Sequence, residues 1–310
     1  MVGEEKPKIL VILGPTASGK STLAIELAKR FGGEIVGSDS LQVHRYLDIG
    51  TAKPSKEVRA LIPHHIIDIV DPDEEFNVGM YRKLAGEVIL DLHRGGKRII
   101  LVGGTFLYVR ALLYGLIEGI EANEDIRTHL RGLRKTYGTY YLHEKLKEID
   151  PDSAKRIHPN DYVRIERALE AYYITGKRMS ELQREHGFGK EEYRTLKIGL
   201  KCESRETLGK RIEDRVDRMI EEGWVEEVKK LRAMGYGRDL KPMQAIGYRE
   251  ISRYLEGEIL LEEAITLIKR STKQYARRQL TWLKKDKEIN WYRVPEDLDK
   301  VLYEAEKFFF

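Results

Sequence analysis

The chain has 310 residues, of which 55 are Lys or Arg and 51 are Asp or Glu, which gives a formal net charge of +4 at pH 7. This length suits one large core with an insertion or two domains, and so small a net charge does not by itself indicate a polyanionic partner. Cys202 is the only cysteine and no apolar run is long enough for a membrane span or a secretion signal, so an intrachain disulfide is excluded and we expect a soluble, cytoplasmic protein.

A glycine-rich loop follows the first apolar run of the chain. The run covers residues 9–13, the loop 14–21 reads GPTASGKS and fits G-x-x-x-x-G-K-[ST], and a helical pattern at 22–30 comes next. Between a strand and a helix, such a loop binds phosphates through backbone N–H groups, the helix dipole and a lysine. A simple glycine turn is the alternative. The predicted diphosphate-binding residues are Gly14, Pro15, Thr16, Ala17, Ser18, Gly19, Lys20 and Ser21, with the Ser21 hydroxyl as the predicted Mg²⁺ ligand.

Three more apolar runs in the first third of the chain, at 34–37, 66–70 and 98–102, are predicted strands. Helical patterns lie between them, and this alternation indicates a parallel sheet with helices on its faces. One helix is predicted over 78–93 with Asn77 as its N-cap. The side chains predicted to face the sheet are Met80, Leu84, Val88 and Leu92.

Polar side chains follow the second predicted strand. Asp39 and Gln42 come directly after it, and the carboxyl ends of parallel strands share one rim of the sheet, so we expect both near the phosphate loop. The Asp39 carboxylate either accepts a proton from a weakly acidic amine or hydroxyl, or closes an Asx turn. The Gln42 carboxamide can donate and accept, which suits the edge of a base.

The fourth predicted strand ends in Gly103, Gly104 and Thr105, where nucleotide hydrolases usually place an acid for Mg²⁺. The absence of that acid weakens an ATPase interpretation. Two roles are open for the Thr105 hydroxyl, namely contact with a leaving-group oxygen or capping of the helix predicted over 106–113.

Charged helical patterns replace the strands from about residue 121. They cover 126–137, 140–149, 162–175 and 180–185, after which residues 196–200 alternate like a strand that returns to the sheet. We therefore predict an α/β fold, a P-loop NTPase-like parallel sheet flanked by helices, with an inserted all-helical subdomain. Its core comprises residues 1–120 and 191–310, with helices at the C-terminal end, and the insertion comprises 121–190.

Two basic segments are candidates for a large polyanion. Between residues 264 and 285 there are seven basic residues and no acidic one, and Arg270, Lys273, Arg277 and Lys284 fall near one helix face. A solvated surface is the alternative there. In the insertion, Asn160, Arg164 and Arg167 follow helical spacing and are candidates for phosphate contacts, with a helix start at Pro159 and Asn160 as the alternative. The pair His64-His65 has no second cluster at ligand spacing, so we expect no zinc.

Taken together, the motifs resemble the tRNA dimethylallyltransferases, also called tRNA isopentenylpyrophosphate transferases. Seven ordered segments carry the likeness over nearly the whole chain: GPTASGKS (14–21), DSLQVHRYLDIGTAKP (39–54), HHIIDIVDP (64–72), LVGGTFLYVRALL (101–113), RIHPNDYVRIERALE (156–170), AIGYRE (245–250) and QYARRQLTWLKK (274–285). His44 departs from the tyrosine usual in the family, and we expect little consequence. Because the chain ends soon after the core, we expect a bacterial-type member.

The resemblance implies transfer of a dimethylallyl group from its diphosphate to N6 of the adenosine 3′ of the anticodon. It implies that Asp39 takes the amine proton, while Lys20, Thr105, Mg²⁺ at Ser21 and Arg215 stabilise the departing diphosphate, with Arg211 as the alternative to Arg215. The implied partners are the anticodon stem-loop of tRNA and dimethylallyl diphosphate, with no membrane and a monomeric enzyme. The implied tRNA-binding residues are Asp39, Ser40, Leu41, Gln42, Thr105, Arg127, Val163, Arg164, Ile165, Glu166, Arg167, Lys273 and Arg277.

Three other functions share parts of this pattern. An adenylate isopentenyltransferase acts on free AMP, ADP or ATP and needs no RNA-binding insertion. A small-molecule P-loop kinase would transfer phosphate from ATP, and an RNA-binding ATP switch would transfer nothing. The helical insertion and the acid-free segment near the C-terminus favour tRNA as the acceptor.

Overall fold

A computed structural model describes residues 5–187 and 192–310. The chain divides into two compact units, one formed by Met1–Leu113 with Glu192–Phe310 and the other by Tyr114–Glu191. The predicted insertion at 121–190 lies within the second unit, whose start the structure places at residue 114. No described helix combines the length and apolar character that crossing a membrane requires.

The first unit is built on a six-stranded parallel sheet with the strand order β3-β2-β4-β1-β5-β6. Its strands are β1 Lys8–Leu13, β2 Gly33–Gly37, β3 His64–His65, β4 Arg98–Val102, β5 Arg194–Leu200 and β6 Asn290–Tyr292. Residues 9–12 of β1 are completely buried, which accounts for their continuous apolar character. The predicted α/β class with a P-loop-type parallel sheet is confirmed.

The first unit also contains helices, some before and some after the second unit in the sequence. They are α1 Lys20–Phe31, α2 Lys56–Leu61, α3 Val78–Arg94, α4 Phe106–Tyr114, α9 Arg205–Glu221, α10 Trp224–Ala233, α11 Tyr248–Leu255, α12 Leu261–Leu283 and α13 Leu298–Phe309, while α5 to α8 belong to the second unit. Asn77 caps α3 as predicted, because its side chain accepts hydrogen bonds from the N–H groups of Gly79 and Met80.

Two local predictions about this unit are wrong, one entirely and one in part. The predicted strand 66–70 is absent, because Ile66 and Asp68 have φ of 64° and 55°, outside the strand region, and β3 is confined to the two histidines. The predicted inner face of α3 is only partly correct, since Leu92 is buried as predicted but the other buried residues are Tyr81, Ala85 and Ile89. Met80 is 44% exposed, whereas the ring of Tyr81 is fully buried and stacks on Tyr108 at 4.2 Å between centroids.

The second unit is entirely helical in its described part. Its helices are α5 Glu124–Ile149, α6 Pro151–Arg156, α7 Tyr162–Thr175 and α8 Met179–His186. Gly138 interrupts α5 with φ 84° and ψ 170°, so the two predicted helices on either side of it are present, joined at a kink. Leu130, Leu142, Ile165 and Leu169 are among the residues that form its small apolar core.

Candidate active site

The glycine-rich loop joins β1 to α1 and places its last residues at an open cavity. Gly19 has a φ of 89°, which favours glycine, and the first hydrogen bond of α1 runs from Leu23 N to Gly19 O at 3.0 Å. The N–H groups of Lys20 and Ser21 therefore precede the helix's own hydrogen bonds and remain available to an anion.

Only some residues of the loop line the cavity. Thr16, Lys20 and Ser21 line the cavity, and Ala17 and Gly19 line an opening beside it. Pro15 and Ser18 are buried, and the N–H of Thr16 donates to Gln279 Oε1 at 2.9 Å. The side chains of Pro15 and Ser18 and the N–H of Thr16 are thus not turned to the cavity, and diphosphate binding by the other backbone N–H groups of the loop stays a prediction.

Two cations, Lys20 and Arg215, face this cavity from α1 and α9. Burial, together with the nearby Arg215 guanidinium, lowers the pKa of Lys20 to about 8. Burial also lowers the pKa of Arg215, an effect that Asp39 opposes. The Lys20 ammonium donates to Pro15 O at 3.3 Å, and within residues 5–187 and 192–310 neither cation forms an ion pair. Arg211 is exposed and lines only the neighbouring opening.

Asp39 follows β2 and lines the same cavity. Its Oδ1 accepts hydrogen bonds from the N–H groups of Leu41 at 2.9 Å and Gln42 at 3.4 Å, which closes an Asx-type turn. Its Oδ2 accepts no hydrogen bond from the described chain and lies beside Gly104, where a β-carbon would approach it to 3.4 Å. Both roles considered for Asp39 are therefore compatible, since one oxygen makes the turn and the other remains free.

The far wall of the cavity comes from α12, a contribution that sequence reasoning missed. Gln279 is 6% exposed and connects two strand ends, because it accepts from Thr16 N and donates to Gly104 O at 2.8 Å. The Tyr275 hydroxyl donates to the same carbonyl at 3.2 Å. Burial and the nearby Asp39 raise the pKa of Tyr275 to about 12, so this hydroxyl stays protonated. The signal available in the sequence was the helical spacing of Gln279 from the apolar Ala276 and Leu283, which places all three on the buried face of α12.

Thr105 lies between β4 and α4 as predicted, but its hydroxyl contacts Ser40. Its Oγ1 accepts from the N–H of Ser40 at 2.9 Å and contacts the Ser40 hydroxyl at 3.1 Å, and it is not among the residues that line the cavity. The Thr105 hydroxyl therefore braces the turn that carries Asp39 and accepts no hydrogen bond from the N–H groups of α4 within the described chain, whereas its contact with a leaving-group oxygen stays a prediction. Ser40 and Leu41 likewise form the turn beside the cavity.

His44, the departure from the family pattern, is buried away from the cavity. Its Nδ1 lies 3.3 Å from the carbonyl oxygen of Asp71, and burial lowers its pKa. The expectation of little consequence therefore has a structural basis, because a buried ring packed against Asp71 does not reach the cavity.

Some of the basic residues of α12 form ion pairs, and others do not. Lys273 pairs with Glu213 at 2.5 Å and Lys269 pairs with Asp217 at 2.7 Å, so their charges are largely neutralised. Arg277 is exposed and, in the part of the chain that the structure describes, forms no ion pair. Trp282 is 41% exposed and stacks on Phe106 at 6.1 Å between centroids.

The predicted RNA-binding residues of the second unit differ in burial and in ion pairing. Ile165 is completely buried, so the prediction that its side chain contacts RNA is wrong. Arg127 and Arg167 both pair with the buried Glu170, at 2.7 and 2.6 Å, so both guanidinium groups compensate the charge of this carboxylate. Val163 and Arg164 are exposed near the start of α7, where Arg164 pairs with the N-cap Asp161 at 2.8 Å. Glu166 accepts a hydrogen bond from the Tyr162 hydroxyl.

The residues present suit Mg²⁺ bound together with phosphates. Among residues 5–187 and 192–310, no three His, Cys, Asp or Glu side chains gather into a metal site. Mg²⁺ that bridges substrate phosphates needs only one or two protein oxygens. The Ser21 hydroxyl is exposed at the cavity and takes part in no hydrogen bond within the described chain, and the Asp39 carboxylate lines the same space.

Comparisons with known proteins show which family this chain resembles. The model for IPP transferase matches residues 42–286, and the model for isopentenyl transferase matches residues 7–67. The chain is 50% identical to tRNA dimethylallyltransferase 2 of Geotalea uraniireducens over 99% of both chains. It is 51% identical to tRNA dimethylallyltransferase of Geobacter metallireducens over 97% of both chains.

Solved structures give the same result. The full-length tRNA isopentenylpyrophosphate transferase of Bacillus halodurans is 41% identical and superposes with a TM-score of 0.73, covering 98% of this chain and 97% of that one. A eukaryotic dimethylallyltransferase acting on tRNA is 33% identical with a TM-score of 0.78, covering 92% of this chain and 73% of that one.

Proposed function

Because this chain belongs to the tRNA dimethylallyltransferase family and is a prenyltransferase, we propose that it transfers the dimethylallyl group to N6 of the adenosine 3′ of the anticodon. The observation that carries the proposal is the pair of cations, Lys20 and Arg215, that faces a cavity with one free carboxylate oxygen. This arrangement suits a departing diphosphate on one side and a reacting amine on the other.

The diphosphate of the donor binds at the start of α1. The N–H groups of Lys20 and Ser21, the positive end of the helix and the two cations supply the attraction. Since Lys20 and Arg215 form no ion pair within the described chain, their charges are available to stabilise the diphosphate as its negative charge grows. Mg²⁺ beside the Ser21 hydroxyl would neutralise further charge on the diphosphate.

The acceptor amine approaches Asp39 from the opposite side. In the transfer, the bond between C1 of the dimethylallyl group and the diphosphate oxygen breaks, and a bond between C1 and N6 forms. The N6 proton passes to Asp39 Oδ2, which accepts no hydrogen bond from the described chain, while Oδ1 stays in the turn. Gly104 leaves room for this approach, because it has no side chain beside Oδ2.

Binding of the anticodon stem-loop uses cations outside the cavity. Among the predicted contacts, Arg277 on α12 is exposed and forms no ion pair within the described chain. At the start of α7, Val163 offers an exposed apolar contact, and Arg164 is exposed but would have to exchange Asp161 for a phosphate. A base stacked within an anticodon loop has to turn outward to reach a cavity of this kind. We further propose that the enzyme acts in the cytoplasm as a monomer, as its tRNA substrate and single cysteine favour.

The choice of acceptor is tested by labelled dimethylallyl diphosphate and Mg²⁺ with tRNA in one reaction and AMP in another. We expect the label in tRNA, on the adenosine 3′ of the anticodon after nuclease digestion, and none in AMP. Label in AMP alone would contradict the proposal, whereas phosphate transfer from ATP to a small molecule would indicate a kinase. The family membership supports tRNA, and nothing supports free AMP as the acceptor.

RNA binding should depend steeply on salt. Each neutralised phosphate contributes about −0.7 to −0.9 to the slope of log affinity against log salt. We expect Arg277→Ala to reduce that slope by about 1. Lys273→Ala is the matched control, because Lys273 already pairs with Glu213 and should change the slope little. Titrations of labelled tRNA at several salt concentrations measure the slope, and equal slopes for all three proteins would contradict a role for this face of α12.

A further inference from the structure

Glu227 on α10 does not line the cavity, but it binds the backbone of residues 48–50, which leads to Thr51 and Ala52 at the cavity. Its Oε2 accepts from the N–H groups of Asp48 at 2.9 Å and Ile49 at 2.6 Å, and its Oε1 accepts from Gly50 at 3.2 Å. The Tyr248 hydroxyl donates to Oε1 at 2.7 Å. A single carboxylate therefore fixes three successive peptide groups, which is more than an ordinary surface glutamate does.

The loop is packed closely against α10 and α11. A β-carbon at Gly50 would overlap the Trp224 ring, and Trp224 is 2% exposed and contacts Tyr248 edge-on at 5.7 Å between centroids. At the other end of the loop, the Lys53 ammonium binds Asp48 Oδ1 at 2.7 Å. The backbone at 48–50 consequently has little room to move while Glu227 remains in place.

This backbone continues directly to two carbonyls that hold Gln42. The Gln42 Nε2 donates to Thr51 O at 3.0 Å and to Ala52 O at 3.3 Å. Both amide hydrogens are thereby used, which sets the orientation of the carboxamide. Its Oε1 accepts no hydrogen bond from the chain between residues 5 and 187 or 192 and 310, and Gln42 lines the cavity beside Asp39.

We propose that Glu227 is a positioning residue for base recognition, since its carboxylate fixes the loop whose carbonyls orient Gln42. The Oε1 of Gln42 then points an acceptor at the exocyclic amine of the purine. The inference rests on the proposed function, because it assigns Glu227 a part in placing the acceptor base. Glu227 itself touches neither substrate, so its effect passes through 48–52 and the Gln42 side chain.

A double-mutant cycle tests the path from Glu227 to Gln42. Glu227→Gln keeps the size of the side chain, but its amide nitrogen cannot accept from a peptide N–H. We expect it to lower the single-turnover rate with saturating donor by about 10- to 100-fold, the scale of a misplaced reacting group. In a Gln42→Ala background the same change should cost less than about threefold, because the orientation it disrupts is already lost.

Glu250→Gln is the matched control. Glu250 is buried on α11 and accepts from Gly247 N at 2.7 Å, and it forms no hydrogen bond or ion pair with residues 48–52. We expect it to leave the transfer rate within about threefold of the original value. Binding of dimethylallyl diphosphate, followed by calorimetry, should be unchanged within about threefold in Glu227→Gln, since the lesion lies on the acceptor side.

The outcomes separate this inference from the proposed function. The inference is overturned if the losses in transfer rate of Glu227→Gln and Gln42→Ala multiply in the double variant. It is also overturned if Glu227→Gln leaves the transfer rate unchanged. If Glu227→Gln does not bind donor because it is unfolded, Tyr248→Phe carries the test, since it removes one donor to Oε1 and should show a smaller loss that also disappears in the Gln42→Ala background. Absence of transfer to tRNA by the unaltered chain would instead contradict the proposed function.

Discussion

Asp39→Asn should lower the rate of the transfer step by about 10²- to 10⁴-fold, the usual loss when a general base is removed. The asparagine keeps an oxygen that can accept from the N–H groups of Leu41 and Gln42, so the turn after β2 should persist. What it removes is the free Oδ2 that accepts the amine proton. Single-turnover transfer to tRNA with saturating donor measures this step without product release.

The affinity for dimethylallyl diphosphate should hardly change in Asp39→Asn, because the diphosphate lies at the start of α1. Asp39→Ala should be worse than Asp39→Asn, since it also removes the acceptor for the two turn amides. Asp71→Asn is the control, because that carboxylate pairs with Arg45 outside the cavity. A single-turnover rate equal to that of the unaltered chain would refute the role of Asp39 as the base.

Donor affinity should fall as the pH rises above about 8, the value to which burial and Arg215 lower the pKa of Lys20. Below that pH the ammonium is charged and attracts the diphosphate. Above it the free enzyme is neutral at Lys20, so binding must take up a proton and the Kd rises by up to about tenfold per pH unit. The diphosphate contributes little to this change, because phosphate groups lose their second proton near a pKa of about 6.

Lys20→Met should raise the Kd for the donor by about 10- to 100-fold at pH 7 and remove most of the pH dependence, since a hydrogen bond from a charged group is lost. Arg211→Ala is the matched control, because Arg211 is exposed and lines only the neighbouring opening. It should leave both the Kd and its pH dependence close to the original. A pH profile that Lys20→Met does not alter would show that another group titrates.

Much of this site was predictable because its chemistry lies in short segments. The loop 14–21 and Asp39 each follow a strand directly, and in a parallel sheet the ends of such strands meet at one rim. The predicted strand 66–70 failed for a local reason. Positive φ at Ile66 and Asp68 allows the Asp68 carboxylate to bind Lys53 and Arg59, and the apolar pattern does not reveal that ion-pair cluster.

The missed residues are those that act over long separations in sequence. Gln279 and Thr16 are 263 positions apart, and Glu227 is 177 positions from Gly50. Neither contact follows from periodicity, because only the tertiary fold brings these elements together. Thr105 shows the related difficulty. Its position after β4 was predictable, but the direction of its hydroxyl toward Ser40 depends on how two loops pack.

We propose that the glycine-rich loop binds a prenyl diphosphate and does not cleave ATP. Analysis of the phosphorus-containing products formed with tRNA, dimethylallyl diphosphate and Mg²⁺ in the absence of ATP distinguishes the two activities. We expect one molecule of diphosphate for each tRNA that gains a dimethylallyl group, and no orthophosphate. Orthophosphate among the products, or transfer that begins only when ATP is added, would contradict the claim.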